Sequence, residues 1–159
     1  MAKVYEFLAD GFEDIEAIAP LDILRRGDVE VVTVSIMPSL NVRSAHGVTM
    51  VADAMFADCD FSDADLLFLP GGLPGATNLN ECEPLRKLIK EHSEKGKKVA
   101  AICAAPLVLG GLGLVEGCRA TCYPGFENTL TGAEYTAELV TVDGNIITGE
   151  GPAAALPFG

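Results

Sequence analysis

Segments with the pattern of β-strands alternate with segments with the pattern of α-helices along this chain. Two amphipathic segments that end at glycine predict helices over Asp14–Arg26 and Glu83–Lys95. Short apolar runs bounded by polar or turn residues predict strands at Lys3–Leu8, Glu30–Ile36, Asp65–Leu69 and Lys98–Ile102. Repeated strand–helix–strand units require a mainly parallel sheet with helices on both faces. No linker or repeat divides the 159 residues, so we expect one α/β domain spanning 1–159.

Further segments complete this prediction. Residues 40–44 and 48–52 predict a hairpin around His46, and Leu139–Val142 with Asn145–Thr148 predict another, turned by Asp143-Gly144. Arg119–Tyr123 predicts one more strand. Pro20 fits the first helix only if that helix begins close before it or bends there.

Cys103 lies where the Lys98–Ile102 strand ends and small residues lead to Pro106, which suits the first turn of a helix. A cysteine on such a turn offers its sulfur to a pocket, as the nucleophile of a hydrolase elbow does. Helix N-terminal N–H groups favour a thiolate, so we expect a depressed pKa for the Cys103 thiol. The alternative is a buried structural cysteine, since free cysteine is often buried.

Two other loops follow strands and are expected to converge with Cys103 beyond the carboxyl ends of the sheet. After the first strand, Glu16 can act as a general acid or base if burial raises its pKa. After the Asp65 strand, Gly71 and Gly72 leave backbone N–H groups accessible for an oxyanion. The alternatives are a helix-start carboxylate that serves the helix dipole and a plain glycine turn.

Charge and cysteine content exclude several classes of function. The net charge of −12 opposes binding to nucleic acid or to anionic membranes. Five cysteines without a C-x-x-C pair favour a reducing cytoplasm over a disulfide framework, and no signal-peptide region or membrane span is expected. Cys118 and Cys122 lack a neighbouring histidine, so we expect no metal.

Four motifs together carry a family resemblance: G-F-E-D-I-E (11–16), L-P-G-G (69–72), A-A-I-C-A-A-P (100–106) and T-G-E-G-P (148–152). They resemble the ThiJ/PfpI superfamily, in particular the branch with the parkinsonism-associated protein deglycase and bacterial glyoxalase-like relatives. The resemblance spans Met1 to Gly159. It implies a flavodoxin-like three-layer sandwich with a mainly parallel sheet, usually as a homodimer.

By this resemblance Cys103 is the reactive cysteine, Glu16 hydrogen-bonds it, and Gly72 with Ala104 supplies backbone N–H groups. The implied function is a cysteine-dependent, cofactor-free enzyme acting on small reactive carbonyls or their adducts on glycated proteins. The alternative is a redox-sensing or stress-protective protein that uses the same cysteine without turnover. A role in thiazole-phosphate biosynthesis is not supported, because the sequence contains no phosphate-binding motif.

The chain departs from the family pattern at several positions. Tyr123 stands where many relatives carry histidine, which removes the base that a protease would need, and both Tyr123 and His46 are possible accessory residues. His46 and Glu150 stand where some relatives carry arginine, which weakens any anion pocket. Relatives usually continue beyond the position of Gly159, so we expect the usual last helix to be lacking.

The first helix carries the sequence evidence for dimerisation. Its apolar residues surround more than one side of the helix: Ile15, Ile18, Leu21, Ile23 and Leu24. A second apolar side needs cover, and a two-fold partner is the commonest one. The alternative cover is the 40–52 hairpin of the same chain.

Overall fold

The computed structural model describes residues 1–159, which form eleven strands and five helices. The strands are β1 (Lys3–Leu8), β2 (Glu30–Ser35), β3 (Asn41–Arg43), β4 (Thr49–Val51), β5 (Ala54–Met55), β6 (Leu66–Leu69), β7 (Lys98–Ile102), β8 (Arg119–Ala120), β9 (Glu134–Tyr135), β10 (Val140–Asp143) and β11 (Ile146–Gly149). The helices are α1 (Asp14–Arg26), α2 (Gly75–Glu81), α3 (Glu83–Glu94), α4 (Pro106–Gly111) and α5 (Ala155–Phe158). None of the helices is both long enough and apolar enough to cross a membrane.

Seven strands form the central sheet in the order β10-β11-β7-β6-β1-β2-β5. All neighbours are parallel except β10 and β11, which form the predicted hairpin. In this order β2 follows β1 towards the β5 edge of the sheet, whereas β7 follows β6 towards the β10 edge. Right-handed crossovers therefore place α1 on one face and α2 with α3 on the other. This three-layer arrangement confirms the predicted flavodoxin-like α/β fold.

The main core lies between the sheet and both helix layers. Strands β6 and β7 are almost entirely buried, because a parallel sheet covered on both faces leaves neither side to water. On the α1 side, Phe158 of α5 packs against Phe68 of β6 with ring centroids 5.5 Å apart. A smaller cluster joins the β3–β4 hairpin to the start of α1 through Val42, Ala52 and Ala17.

The observed elements differ from the predicted ones at α2, β5, β8 and β9. Helix α2 and strand β5 were not predicted, because seven residues beginning at Gly75 and two residues at Ala54 are too short to show a period. The predicted strand Arg119–Tyr123 is wrong beyond Ala120, and β8 pairs with β9 outside the central sheet. The Thr121 N–H donates to Thr148 Oγ1 at 2.9 Å instead of continuing a ladder. Helix α1 has its predicted bounds and runs through Pro20.

Candidate active site

Three loops meet at the carboxyl ends of β1, β6 and β7. The direction of chain progression reverses between β1 and β6, which is where ligands bind in open α/β sheets. The Glu13 N–H, after β1, donates to the Gly71 carbonyl, after β6, at 2.9 Å. The Cys103 N–H donates to the Gly149 carbonyl, also at 2.9 Å. The structure brings together the three segments expected to converge, because Gly71 lies beside both Glu16 and Cys103.

Cys103 occupies the sharp turn between β7 and α4. Its φ of +65° lies in the left-handed region, which is uncommon for a residue with a side chain. The Ala105 N–H closes the turn by donating to the Ile102 carbonyl at 3.1 Å, and α4 begins at Pro106 as predicted. This strained geometry lifts the side chain away from the strand, and Cys103 remains 9% exposed.

Gly71 lies between the two side chains of the candidate site. A β-carbon at Gly71 would lie 2.5 Å from Glu16 Oε1 and 2.6 Å from Cys103 Cβ. Only glycine allows the carboxylate and the cysteine to approach the same backbone position. Gly72 is equally constrained, because its φ is +93° and a β-carbon there would collide with the Glu13 nitrogen.

Glu16 is in the first turn of α1 and is completely buried. The helix cap is Glu13 rather than Glu16, since Glu13 Oε2 accepts the Glu16 N–H at 2.9 Å. Neither Glu16 carboxylate oxygen has a well-formed hydrogen bond, although the Cys103 thiol and the Gly71 N–H lie near enough to favour the charged form. Burial, helped by the charge of Glu13, raises the pKa of Glu16 to about 7.

The expected depressed pKa of the Cys103 thiol is wrong for a thiol beside an ionised Glu16. Burial, followed by the charge of Glu16 and its hydrogen bond, raises the pKa of Cys103 to about 12. The N–H groups of Gly72 and Ala104 act in the opposite direction, and neither is used in a backbone hydrogen bond. Burial and the charge of Glu16 outweigh these two N–H groups.

The two groups titrate as a pair. With pKa values of about 7 for Glu16 and about 12 for Cys103, the pair holds one acidic proton at neutral and mildly alkaline pH. That proton resides either on the sulfur or on the carboxylate. A thiolate near neutral pH therefore requires a protonated Glu16.

Of the two possible accessory residues, only Tyr123 lies at the Cys103 site. Its N–H donates to the Cys103 carbonyl at 2.9 Å. His46 is bound elsewhere, with Nδ1 3.1 Å from Asp14 Oδ1 and 3.8 Å from Glu13 Oε1. It reaches the site only through Glu13, the helix cap.

Glu13 and Gly151 are site residues that sequence reasoning missed. A β-carbon at Gly151 would lie 3.0 Å from Tyr123 Cδ2 and 3.9 Å from Glu16 Oε2, so this glycine separates the ring from the carboxylate. The position of Glu13 directly before a helix was the available signal for a cap, and Gly151 carried no signal beyond its motif.

One group of potential metal ligands is present. Atoms of Glu13, Asp14 and His46 lie within 4.8 Å of one another. These atoms are already paired, since Asp14 also accepts a hydrogen bond from the Ser44 hydroxyl at 2.7 Å. The grouping by itself therefore indicates an ion-pair network rather than a metal site.

Comparisons with known proteins agree with this geometry. The DJ-1/PfpI family model matches residues 2–159. The solved structure of oxidized Toxoplasma gondii DJ-1 superimposes with a TM-score of 0.95 at 35% identity, covering 99% of this chain and 86% of that one.

Similar curated proteins carry names from the same family. Arabidopsis thaliana DJ-1 homolog B is 42% identical over 98% of this chain, which spans only 36% of that longer protein. A glutathione-independent glyoxalase of Caenorhabditis elegans is 33% identical, covering 92% of this chain and 78% of its own length. A deglycase of Pyrococcus abyssi is 34% identical, covering 94% and 90%.

Proposed function

Because this chain belongs to the DJ-1/PfpI family, we propose that it is an enzyme that acts on small reactive carbonyl compounds through Cys103. Its activity is that of a cofactor-independent glyoxalase or of a deglycase, and two of its relatives are named as a glutathione-independent glyoxalase and a deglycase. The observation that carries the proposal is the juxtaposition of Cys103 and a buried, proton-sharing Glu16 at Gly71.

The first step needs a thiolate and an acid in the same site. Transfer of the thiol proton to Glu16 yields both at once. The sulfur of Cys103 then attacks the aldehyde carbon, the S–C bond forms, and the carbonyl electron pair moves to oxygen. Free N–H groups of Gly72 and Ala104 stabilise this oxyanion until Glu16 protonates it, which gives a hemithioacetal.

The second step is an isomerisation followed by hydrolysis. The ionised Glu16 takes the proton from the sulfur-bearing carbon and, through an enediol, returns a proton to the neighbouring carbon. The hydroxyl proton moves between the two oxygens in the same step, so a thioester forms without any external oxidant. Water cleaves the thioester, releasing a hydroxy acid and the Cys103 thiol.

Turnover of methylglyoxal tests this proposal. Wild type should release lactate, and Cys103→Ser should lose at least about 1,000-fold in kcat/KM, because the serine hydroxyl is a far weaker nucleophile at neutral pH. Cys122→Ser, which alters the other buried cysteine, is the matched control and should keep its activity. If the folded, reduced wild-type protein makes no lactate, the proposed enzymatic activity is refuted.

A second candidate function is redox sensing at Cys103. The observation that favours it is the likeness to Toxoplasma gondii DJ-1 in a form described as oxidized. Two molecules of hydrogen peroxide would oxidise the thiolate through sulfenate to sulfinate, releasing two waters, and the free N–H groups and a protonated Glu16 can bind the sulfinate. Peptide mass spectrometry after peroxide treatment should then find sulfinate at Cys103 before any other cysteine, without methylglyoxal turnover.

We also propose that the protein is a homodimer in a reducing cytoplasm. All five cysteines are free thiols. Ile15 and Ile18 of α1 remain 53% and 43% exposed, so the β3–β4 hairpin does not cover this side of the helix. Light scattering at low micromolar concentration should give the mass of a dimer, and Ile18→Glu should shift it to a monomer. A monomeric wild type would contradict the dimer.

A further inference from the structure

We infer that the Cys103 site selects its substrates by charge, favouring aldehydes attached to a cationic group and disfavouring anionic ones, with the Tyr123 ring as the surface that receives the cation. This inference rests on the proposed function and names the substrate class of the same site. The cationic partner is a small molecule, or a protein side chain with a guanidinium or ammonium group, that carries the reactive carbonyl.

The segments that meet around Cys103 are strongly acidic. The segments 9–16, 69–75, 100–106, 121–127 and 148–152 are joined by the hydrogen bonds described above. They contain no lysine, arginine or histidine, and the nearest basic residues in the chain are Arg43 and His46 of the β3–β4 hairpin, beside Asp10 and Asp14. They do contain six carboxylates, which are Asp10, Glu13, Asp14, Glu16, Glu127 and Glu150.

Within one protomer, His46 is the one cation that pairs with any of these carboxylates, and it is 72% exposed at its side chain. The charges that act on the pKa values of Cys103 and Glu16 are those of carboxylates alone, Glu16 and Glu13. An anionic substrate would therefore meet backbone N–H groups but no counter-charge, at a Coulombic cost that grows as water is excluded.

The aromatic ring of Tyr123 lies at the same site. It is 45% exposed, and every other aromatic side chain of the chain is buried or half-buried. The Tyr123 hydroxyl has no hydrogen-bond partner in the protein, and the ring edge faces Gly151 on the side of Glu16. The face of an exposed aromatic ring is a surface on which a quaternary ammonium or guanidinium group binds.

The shape of the site agrees with a substrate whose remainder stays in water. No cavity of the protein opens on Cys103, and the four that exist lie elsewhere. Cys103 itself is only 9% exposed, whereas Tyr123 and Leu73, on two of the loops that meet at the site, have exposed side chains. A carbonyl at the end of a longer cationic group can reach the sulfur while its charge rests on these side chains.

Two thiol reagents of opposite charge test the inference without requiring turnover. The probes are the trimethylammonioethyl and sulfonatoethyl methanethiosulfonates, whose rates at Cys103 are followed by peptide mapping at pH 8. The ratio of the cationic to the anionic reaction rate at Cys103 should exceed the same ratio for free 2-mercaptoethanol by at least about ten-fold. In 0.5 M salt the ratio at Cys103 should fall towards that of the free thiol, because salt screens the charges of the site. A ratio equal to or below that of the free thiol would overturn the inference.

Variants then separate the local charge from the net charge. Glu13→Gln keeps the cap oxygen and should lower the ratio about three-fold by speeding the sulfonate reagent. Glu91→Gln, at the far end of α3, removes the same charge and should leave the ratio unchanged. Equal effects of both variants would show a net-charge effect only and would contradict a selective site.

The aromatic surface has its own variants. Tyr123→Leu should slow the cationic reagent about two- to five-fold and leave the sulfonate reagent unchanged, whereas Tyr123→Phe should retain both rates. An equal slowing of both reagents would remove Tyr123 from the inference.

Carbonyl compounds complete the test. Betaine aldehyde should protect Cys103 from iodoacetamide at a lower concentration than glyoxylate does. The reverse order would contradict charge selection. If the protein does not turn over methylglyoxal but the two reagents react at the predicted ratio, the proposed enzymatic activity is refuted and the charge selection is retained.

Discussion

Two buried carboxyl groups of this protein share nearly every local property and differ in their neighbours. Glu6 on β1 and Glu16 on α1 are both fully buried, and the carboxylate oxygens of neither residue have a well-formed hydrogen bond. Burial raises the pKa of both groups, to about 7 for Glu16 and well above the ordinary value for Glu6. By burial and pKa alone, the two would be equal candidates for a functional acid.

Their surroundings separate them. Glu6 sits in the middle of a strand, paired with Thr33 of β2 and Phe68 of β6, and the charges that act on it are those of Arg25 and Asp53. Glu16 lies at the carboxyl ends of the strands, where Gly71 brings it next to Cys103. A raised pKa becomes useful chemistry only where a nucleophile shares the proton.

Activity should separate the two carboxyls most strongly. Glu16→Gln should lower kcat/KM for methylglyoxal by at least about 1,000-fold, because it removes the group that both takes and returns protons. Glu6→Gln should stay within about three-fold of wild type. A comparable loss in both variants, with folding intact, would end the distinction drawn between them.

Glu6 and Glu16 should affect the free energy of unfolding in the same direction, although only Glu16 should affect activity. The unfolded chain releases the Glu16 proton near pH 4.5 and the folded chain near 7, so the free energy of unfolding falls as pH rises between these values, by about 3 kcal/mol for this group. Denaturant titrations at pH 4.5 and 8 should show a smaller fall for Glu16→Gln. Glu6→Met should gain about 1–3 kcal/mol at pH 8 and less at pH 4.5.

The sign of this pH effect shows whether the buried carboxyls are neutral or ionised at neutral pH. If wild type became more stable from pH 4.5 to 7 and both variants tracked it, the buried carboxyls would be ionised and satisfied at neutral pH, contrary to their environments.

The smallest effect concerns the gap between Tyr123 and Glu16. Gly151→Ala places a methyl group 3.0 Å from Tyr123 Cδ2 and 3.9 Å from Glu16 Oε2, so the ring must shift and access narrows. We expect a loss of about three- to ten-fold in kcat/KM, measured with methylglyoxal. Gly111→Ala, whose β-carbon would meet nothing closer than 3.6 Å, is the control and should match wild type.

Much of the fold could be predicted from sequence because its elements are long and periodic. Helix α1 has its predicted bounds, and the β10–β11 hairpin differs from its prediction by one residue. The region after Ala120 could not be predicted in the same way. Its backbone bonds to side chains such as Thr148 Oγ1, a choice that depends on tertiary contacts rather than on local pattern.

The candidate site was likewise predicted from the sequence only in part. Strand ends and glycine motifs predicted that Cys103, Glu16 and Gly71 lie in converging loops, and the structure brings them together. The direction of the thiol pKa was missed, because it depends on how deeply the elbow is buried and on which neighbour is charged. No one-dimensional pattern reports desolvation at a single atom.

The most direct test of the account is the pH dependence of Cys103 alkylation by iodoacetamide, measured from pH 5 to 10 in wild type and Glu16→Gln. If Cys103 and Glu16 share a proton, the wild-type rate should rise to near pH 7 and then level off, since the pair loses its first proton at about 7. Glu16→Gln should lack this break and rise about ten-fold per pH unit through pH 9. A wild-type rate that climbs without a break, parallel to that of Glu16→Gln, would show an independent thiol and contradict the account.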